Sequence, residues 1–225
     1  MTVNKLAYDD KYQGGYGITV PEGYFIRCYK QVLEYELNVK GGRVFDFGMG
    51  NGTHLNWLLQ QKQKWDVFGC DISALALDSA RHLLNGVDPE HFVCISPGDN
   101  IKNKTNGKFD LILANQVLYY LDQPELERVI SDFHEMLNSG GVIFASMMGD
   151  ENNYFGKSTP IAGTSMRRVK LQGRLNEETD INFKTVKQML SDFSAFEKIQ
   201  VGYYDSVIRE DEGSTKHLTF IGRKP

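Results

Sequence analysis

Hydrophobic and polar positions between residues 43 and 147 follow two alternating periods. Short, nearly continuous apolar runs such as FDLILA and GVIFAS are each followed or preceded by segments whose apolar residues recur every three to four positions. The first pattern is typical of strands buried on both faces, and the second of amphipathic helices. We therefore predict strands at 43–48, 66–71, 91–96, 108–115 and 141–147, and helices at 53–62, 73–85 and 124–138.

This alternation of strands and helices predicts the α/β class, with a parallel sheet covered by helices on both faces. The pattern also predicts a helix near 182–194 and two closing strands at about 196–204 and 216–223. In such a sheet a ligand binds beyond the carboxyl ends of the strands, beside the first strand-to-helix turn.

Two segments depart from the regular pattern. Residues 1–40 are rich in tyrosine and glycine and end in an amphipathic helix, so we predict an N-terminal lid and helix there. Residues 149–181 are polar and show no clear period, which favours an insertion over the substrate site more than a linker. The length of 225 residues predicts one domain that spans 1–225.

The composition narrows the function classes. The chain is 41% hydrophobic and 24% charged, with a formal net charge of -4, which argues against broad electrostatic capture of nucleic acid or of an anionic membrane. Neither a long apolar run nor the apolar core of a signal peptide is present, so we expect a cytoplasmic protein. The three cysteines and five histidines show no metal-ligand spacing, and we predict no metal site.

A glycine-rich turn follows the first predicted strand in the sequence DFGMGNG, residues 46–52. Its glycines run GxGxG, whereas a dinucleotide fingerprint needs GxGxxG. Asp46, two residues before the first glycine, would repel a pyrophosphate and would attract a cofactor with a cationic amino-acid end. The alternative of a short-chain dehydrogenase also lacks its Tyr-x-x-x-Lys pair.

The turn resembles motif I of the class I S-adenosylmethionine-dependent methyltransferases, in particular bacterial members that act on small molecules. The segments VFGCD (67–71), SPGDN (96–100) and FDLILANQVLYYL (109–121) are similar to later motifs of that family. The resemblance implies a three-layer α/β/α Rossmann-like fold with a seven-stranded, mostly parallel sheet. Its strand order would be 3-2-1-4-5-7-6, with only strand seven antiparallel.

The same resemblance implies a cofactor site for S-adenosyl-L-methionine, with S-adenosyl-L-homocysteine as the product. Asp71 would accept hydrogen bonds from both ribose hydroxyls, because a carboxylate offers two oxygens. Asp99 would meet the adenine amino group. The full predicted set of cofactor-binding residues is Asp46, Gly48, Gly50, Asp71, Ile72, Asp99, Asn100 and Asn115.

The acceptor side carries weaker signals. Tyr120 stands where the family often has a histidine; a tyrosine is a poor base near neutral pH but can orient an acceptor, so Tyr120 is the candidate catalytic residue. Gln116 follows Asn115 where base-modifying members place Pro-Pro-Tyr or Pro-Pro-Phe, which disfavours DNA methylation. We therefore expect a small-molecule acceptor.

Positive charge concentrates at Arg167, Arg168, Lys170 and Arg174 in an otherwise acidic chain. Arginine matches phosphate or carboxylate, so one hypothesis is an anionic acceptor, phosphorylated or nucleotide-linked, for example in a surface-glycan pathway. A solvated basic face is the alternative. Tyr16 and Arg27 are further candidate contacts of the substrate. The alternative is that their side chains are packed within the protein or solvated.

A second function also stays open. Binding residues survive when catalysis is lost, so a non-catalytic S-adenosylmethionine or S-adenosylhomocysteine sensor, or a partner subunit, would carry the same motifs. The sequence does not indicate an oligomeric state.

Overall fold

The structure is a computed structural model that describes residues 4, 9, 12 and 13 and the ranges 18–171 and 177–225. The strands are β1 (Gly41–Phe47), β2 (Lys64–Asp71), β3 (Phe92–Cys94), β4 (Phe109–Ala114), β5 (Leu137–Met148), β6 (Ser158–Pro160), β7 (Arg167–Leu171), β8 (Glu177–Ile181), β9 (Glu197–Tyr204) and β10 (His217–Arg223). The α-helices are α1 (Gly23–Cys28), which continues as a π-helix over Tyr29–Glu36, α2 (Thr53–Leu59), α3 (Ala74–Leu83), α4 (Gln123–Met136), α5 (Asn153–Gly156) and α6 (Val186–Asp192). Short 3₁₀ helices cover Pro89–His91, Ile101–Asn103 and Leu118–Tyr120.

Seven strands form the main sheet in the order β3-β2-β1-β4-β5-β10-β9. Numbered along the chain within that sheet, the order is 3-2-1-4-5-7-6. Strand β10 runs antiparallel to both of its neighbours, while β1 to β5 pair in parallel. The predicted three-layer Rossmann-like fold and its sheet order are therefore confirmed.

The central strand β4 shows why the apolar runs lack alternation. Leu111 and Leu113 pack on one face of the sheet, and Ile112 and Ala114 pack on the other. Because successive side chains of a strand point to opposite faces, a strand covered on both sides must be apolar throughout. Helix α1 and its π-helical extension cover the first face, and α4 covers the second.

Helix boundaries follow local capping chemistry. The Asp122 side chain accepts a hydrogen bond from the Glu125 amide at the start of α4. Thr185 and Gln188 form a capping box, and α6 begins only at Val186. The prediction of a helix from residue 182 was therefore too long, since a capping residue has extended backbone and marks where the helix begins.

The predicted insertion at 149–181 contains helix α5 and a second, antiparallel sheet of three short strands in the order β6-β7-β8. Sequence analysis did not predict these strands, because they span only three to five residues each. Val169 and Ile181 are buried and join the core beside α4. None of the helices in the described ranges has the length and hydropathy needed to cross a bilayer.

Candidate functional site

A cavity of about 370 Å³ opens at the carboxyl ends of the central strands. Its wall includes the glycine turn after β1, Asp71 and Ile72 at the end of β2, and Asn115 and Gln116 directly after β4. This is the place where a doubly wound sheet is expected to bind a ligand.

The glycine turn is shaped by backbone geometry. Gly48, Gly50 and Gly52 have φ angles of 71°, 57° and 81°, which side chains other than glycine rarely tolerate. The amides of Gly48 and Met49 both donate to the Cys70 carbonyl, at 2.9 and 3.0 Å. A Cβ atom on Gly48 would collide with the Val117 side chain. The turn therefore needs glycine for its conformation and for space.

Asp71 is a buried carboxylate that joins the turn to the next helix. Its Oδ2 accepts a hydrogen bond from the Gly50 amide and its Oδ1 accepts one from the Ser73 amide, each at 2.9 Å. Burial raises the pKa of Asp71, and these backbone hydrogen bonds oppose that rise. Each oxygen retains capacity to accept a further donor from the cavity.

Two other predicted cofactor residues hold buried acceptor atoms without hydrogen-bond partners in the described part of the chain. These atoms are Asp46 Oδ2 and Asn100 Oδ1. Asp46 is 1% exposed, and its Oδ2 lies 3.4 Å from His54 Nδ1 without hydrogen-bond geometry. His54 lines the cavity, whereas Asp46 and Asn100 are not among its lining residues, although their chain neighbours Phe47, Asp99 and Ile101 are. Unpaired buried acceptors are costly, and such positions suit a ligand that supplies donors.

Asp99 lines the cavity and also closes its own turn. Its Oδ2 accepts a hydrogen bond from the Ser96 amide at 2.9 Å, which, together with Lys104, lowers the pKa of Asp99. Arg128 donates to the Asp99 carbonyl at 2.5 Å. The structure thus accommodates both the turn-closing and the ligand-facing interpretation of this residue.

A polar cluster that sequence analysis missed surrounds Gln116, which has a positive φ of 56°. The Gln116 amide donates to Ser146 Oγ at 2.7 Å. Its side-chain Nε2 contacts Glu22 Oε2 at 3.2 Å, Tyr24 Oη at 2.8 Å and Tyr204 Oη at 2.9 Å. A non-glycine residue with positive φ stores backbone strain, and such strain concentrates at functional sites.

Aromatic stacking supports this cluster. The Tyr24 and Tyr204 rings stack with centroids 3.5 Å apart, and His217 stacks on the other side of Tyr204 at 4.9 Å. Burial raises the pKa values of both tyrosines above the ordinary value, so both phenols stay protonated. The Gln116 contacts join residues 88 to 94 positions apart. Local sequence patterns do not predict contacts between residues so far apart. The position of Gln116 directly after Asn115 was an available signal that Gln116 lies at the site.

The predicted acceptor residues fall in different places. Tyr120 lines the cavity, and its ring lies 4.5 Å from that of Tyr119. Arg27 is exposed, donates to Gln31 and is absent from the described wall. Tyr16 lies outside the described residues, as does Arg174.

Arg167 and Arg168 are both hydrogen-bonded within the insertion. Arg167 Nε donates to Ser158 Oγ at 2.7 Å. Arg168 makes a bidentate pair with Asp180, at 2.7 and 2.8 Å. Asp180 belongs to the described cavity wall, but neither arginine does.

The N-terminal segment meets the glycine turn at Ile18, which also lines the cavity. The Ile18 carbonyl accepts hydrogen bonds from Thr53 Oγ1 at 2.5 Å and from Asn51 Nδ2 at 2.8 Å. Further along the same cleft, Ser73 Oγ donates to Asp9 Oδ1 at 2.6 Å. These contacts place described parts of the predicted lid segment next to the predicted cofactor residues.

Comparison with known proteins agrees with this geometry. Residues 45–143 match the family described as "Methyltransferase domain". An uncharacterized methyltransferase of Bacillus cytotoxicus is 29% identical over 135 residues. That match covers 60% of this chain and 60% of the relative, so the chain spans less than two thirds of the length of the curated relatives it matches.

Two solved structures share the fold. The N-methyltransferase NodS from Bradyrhizobium japonicum, in complex with S-adenosyl-L-homocysteine, is 15% identical with a TM-score of 0.63, and the match covers 97% of this chain and 99% of NodS. A Burkholderia thailandensis 1,6-didemethyltoxoflavin-N1-methyltransferase, with bound 1,6-didemethyltoxoflavin and S-adenosylhomocysteine, is 16% identical with a TM-score of 0.64. That match covers 99% of this chain and 87% of the other. The matched domain and the solved structures agree on a Rossmann-like methyltransferase fold for this chain, and most of the cavity-lining residues that follow β1, β2 and β4 lie within the matched segment.

Proposed function

We propose that this chain transfers a methyl group from S-adenosyl-L-methionine to a small-molecule acceptor. The observation that carries the proposal is Asp71, whose two oxygens are fixed by the amides of Gly50 and Ser73 beside an open glycine turn. A rigid carboxylate in this position suits a pair of ribose hydroxyls, because each oxygen can accept one more hydrogen bond.

The charge of the cavity supports the same cofactor. Six carboxylates line it, whereas Arg128 is the one lysine or arginine in the described wall. S-adenosylmethionine carries a sulfonium and an ammonium against one carboxylate, so a net cation enters an acidic cavity. The acidic side chains of the wall are Glu22, Asp71, Asp99, Asp122, Glu125 and Asp180.

The residues present fit this cofactor in a second way. The buried acceptors Asp46 Oδ2 and Asn100 Oδ1 have no partners among the described residues, and in the chain they adjoin the wall residues Phe47, Asp99 and Ile101. The cofactor would supply the electrophilic methyl group when bound. The chain would hold the acceptor against it and exclude water, with Tyr120 and Gln116 as the cavity-lining groups that orient the acceptor.

Calorimetry tests the proposal directly. We expect micromolar binding of S-adenosylmethionine and S-adenosylhomocysteine and no measurable binding of NAD. Binding of NAD alone, or of none of the three, would contradict the proposal. A sensor or partner subunit would bind both adenosyl ligands but would release no S-adenosylhomocysteine during incubation with a broad panel of acceptors.

The prediction of an anionic acceptor depends on arginines that are already hydrogen-bonded within the insertion. It stays a prediction, with less support than the small-molecule acceptor itself. The Burkholderia thailandensis enzyme, with bound 1,6-didemethyltoxoflavin, offers one precedent for a small-molecule acceptor on this fold. The expected cytoplasmic location also stays a prediction.

A further inference from the structure

We propose that the acceptor is a nitrogen compound, bound through its N–H groups by Glu22 and Gln116. This inference rests on the proposed methyl transfer and specifies its substrate class. It concerns the acceptor end of the cavity, which we define as Glu22, Gln116, Tyr120, Met166 and Asp180.

The orientation of the Gln116 amide follows from its partners. A carboxylate can only accept hydrogen bonds, so the amide atom 3.2 Å from Glu22 Oε2 must be the Nε2 donor. The two tyrosine hydroxyls also lie within 2.9 Å of Nε2. The Gln116 carbonyl oxygen Oε1 then points away from all three, and it has no hydrogen-bond partner among the described residues. The side chain therefore offers the cavity an acceptor atom.

Glu22 offers a second acceptor. It is exposed at the cavity wall, and no lysine, arginine or histidine of the described chain pairs with it within 4.0 Å. Asp180, by contrast, is neutralised by its bidentate pair with Arg168. The acceptor end thus presents one uncompensated negative charge and no uncompensated positive charge in the described part.

Apolar side chains also line the cavity. They include Val20 and Pro21, which precede Glu22 in the chain, and Leu121, which follows Tyr120, together with Met166. An apolar body with an amine or another N–H group matches this wall, whereas a phosphate or carboxylate would face Glu22 without a described cation to compensate it.

The chemistry of a nitrogen acceptor is balanced within the site. The nitrogen lone pair forms the new N–C bond while the S–C bond breaks and leaves its electron pair on sulfur. A bound ammonium first passes one proton to the Glu22 carboxylate and from there to water, which frees this lone pair, and the methylated nitrogen keeps its remaining protons. This transfer needs no oxidant, reductant or metal.

Three probes of similar size and different charge test the inference. We would titrate benzylammonium, benzyl alcohol and benzoate into the protein saturated with S-adenosylhomocysteine, and follow binding by ligand-observed NMR. We expect benzylammonium to bind about fivefold more tightly than benzoate, the upper range for one partly solvated charge. In Glu22→Gln this preference should fall to less than about twofold.

Glu90→Gln is the matched control, because this substitution removes the same charge from an exposed residue that lies outside the described cavity wall. It should keep the wild-type preference. Equal or tighter binding of benzoate, no binding of benzylammonium, or an unchanged preference in Glu22→Gln would each overturn the inference. Failure of the proposed function is distinguishable in two ways. A protein without the cofactor site would not bind S-adenosylhomocysteine at all, and a sensor or partner subunit would bind it but would form none from S-adenosylmethionine with the acceptor panel.

Discussion

The two ends of the cavity are built in different ways. At the cofactor end, Gly48, Gly50, Asp71 and Ser73 belong to two consecutive strand-to-helix turns. The amides of Gly50 and Ser73 donate to the Asp71 carboxylate, and the amide of Gly48 donates to the Cys70 carbonyl. At the acceptor end, Gln116 meets residues about 90 positions away in both directions along the chain. The first end is a local structure, and the second exists only once the whole chain has folded. We therefore expect substitutions at the cofactor end to affect cofactor binding most, and substitutions in the aromatic stack behind Gln116 to act largely through packing and protonation.

The largest expected effect is at Asp71. Asp71→Ala removes the acceptor for two buried amides and for the cofactor ribose, so S-adenosylhomocysteine affinity should fall at least about 100-fold. Calorimetry measures the loss, and a thermal melt reports whether the variant is folded. Asp78→Ala is the control, because the Asp78 side chain is 63% exposed on α3. An affinity within tenfold of wild type would remove Asp71 from the cofactor site.

A second prediction separates backbone strain from lack of space in the glycine turn. Gly48 and Gly163 have similar φ angles of 71° and 75°, but only at Gly48 would a Cβ meet another side chain. Gly163→Ala should cost about 1 kcal/mol of unfolding free energy, and Gly48→Ala about 2 kcal/mol more. Urea denaturation measures both. Equal losses would mean that Val117 adjusts and that the turn tolerates a side chain.

The third prediction concerns His217, in the stack behind Gln116. Burial lowers its pKa, its Nδ1 lies 2.6 Å from the Thr215 carbonyl, and its Nε2 has no partner in the described residues. The unfolded chain binds a proton near pH 6.5 and the folded chain does not, so stability falls as the pH drops below that value.

His217→Gln should therefore reduce the loss of unfolding free energy between pH 7.5 and pH 5.5 by about 1 kcal/mol. Denaturation at the two pH values measures this difference. His82→Gln, an exposed histidine on α3, is the control and should leave the pH dependence as it is. If His217→Gln leaves the dependence unchanged as well, another group must produce it.

The smallest expected effect is at the Arg168–Asp180 pair of the insertion. The Arg168 side chain is 35% exposed, so Arg168→Ala should cost at most about 1 kcal/mol in unfolding free energy. Lys170→Ala, with a 63% exposed side chain, is the comparison and should cost less. A loss above about 2 kcal/mol for Arg168 would show that the insertion depends on this pair more than a solvated ion pair allows.

The same contrast explains what the sequence could predict. The alternation of strands and helices and the cofactor turn follow from local periods and from glycine spacing, whereas the strand order was implied by the family resemblance. Gly48, Gly50, Asp71 and Ile72 lie in the cavity wall beside that turn. The role of Asp46 is less direct than predicted, because it stands behind His54. Its placement depends on a helix turn that packs over it, which spacing alone does not reveal.

Tyr120 was named from the sequence and lines the cavity, but the cluster around Gln116 was beyond sequence reasoning for a physical reason. Tyr24, Gln116 and Tyr204 come together only through the packing of α1 and the far strand β9 against the end of β4. The strands of the insertion are too short to produce a recognisable hydrophobic period. The positive φ at position 116 could not be predicted, because the residue there is glutamine and not glycine. The basic residues of the insertion predicted an anionic acceptor, but the charge of Arg168 is already compensated by its pairing with Asp180.

The Ile18 carbonyl accepts hydrogen bonds from the side chains of Thr53 and Asn51, and these bonds bear on the rate at which a ligand leaves the cavity. Ile18 lines the cavity beside the glycine turn, so if a bound nucleoside leaves past Ile18, these two hydrogen bonds would open first. The lifetime of the bound product nucleoside would then depend on a backbone group that takes no part in methyl transfer. The turnover rate at saturating acceptor would then depend on how fast these two hydrogen bonds open, and a more viscous solvent would lower that rate.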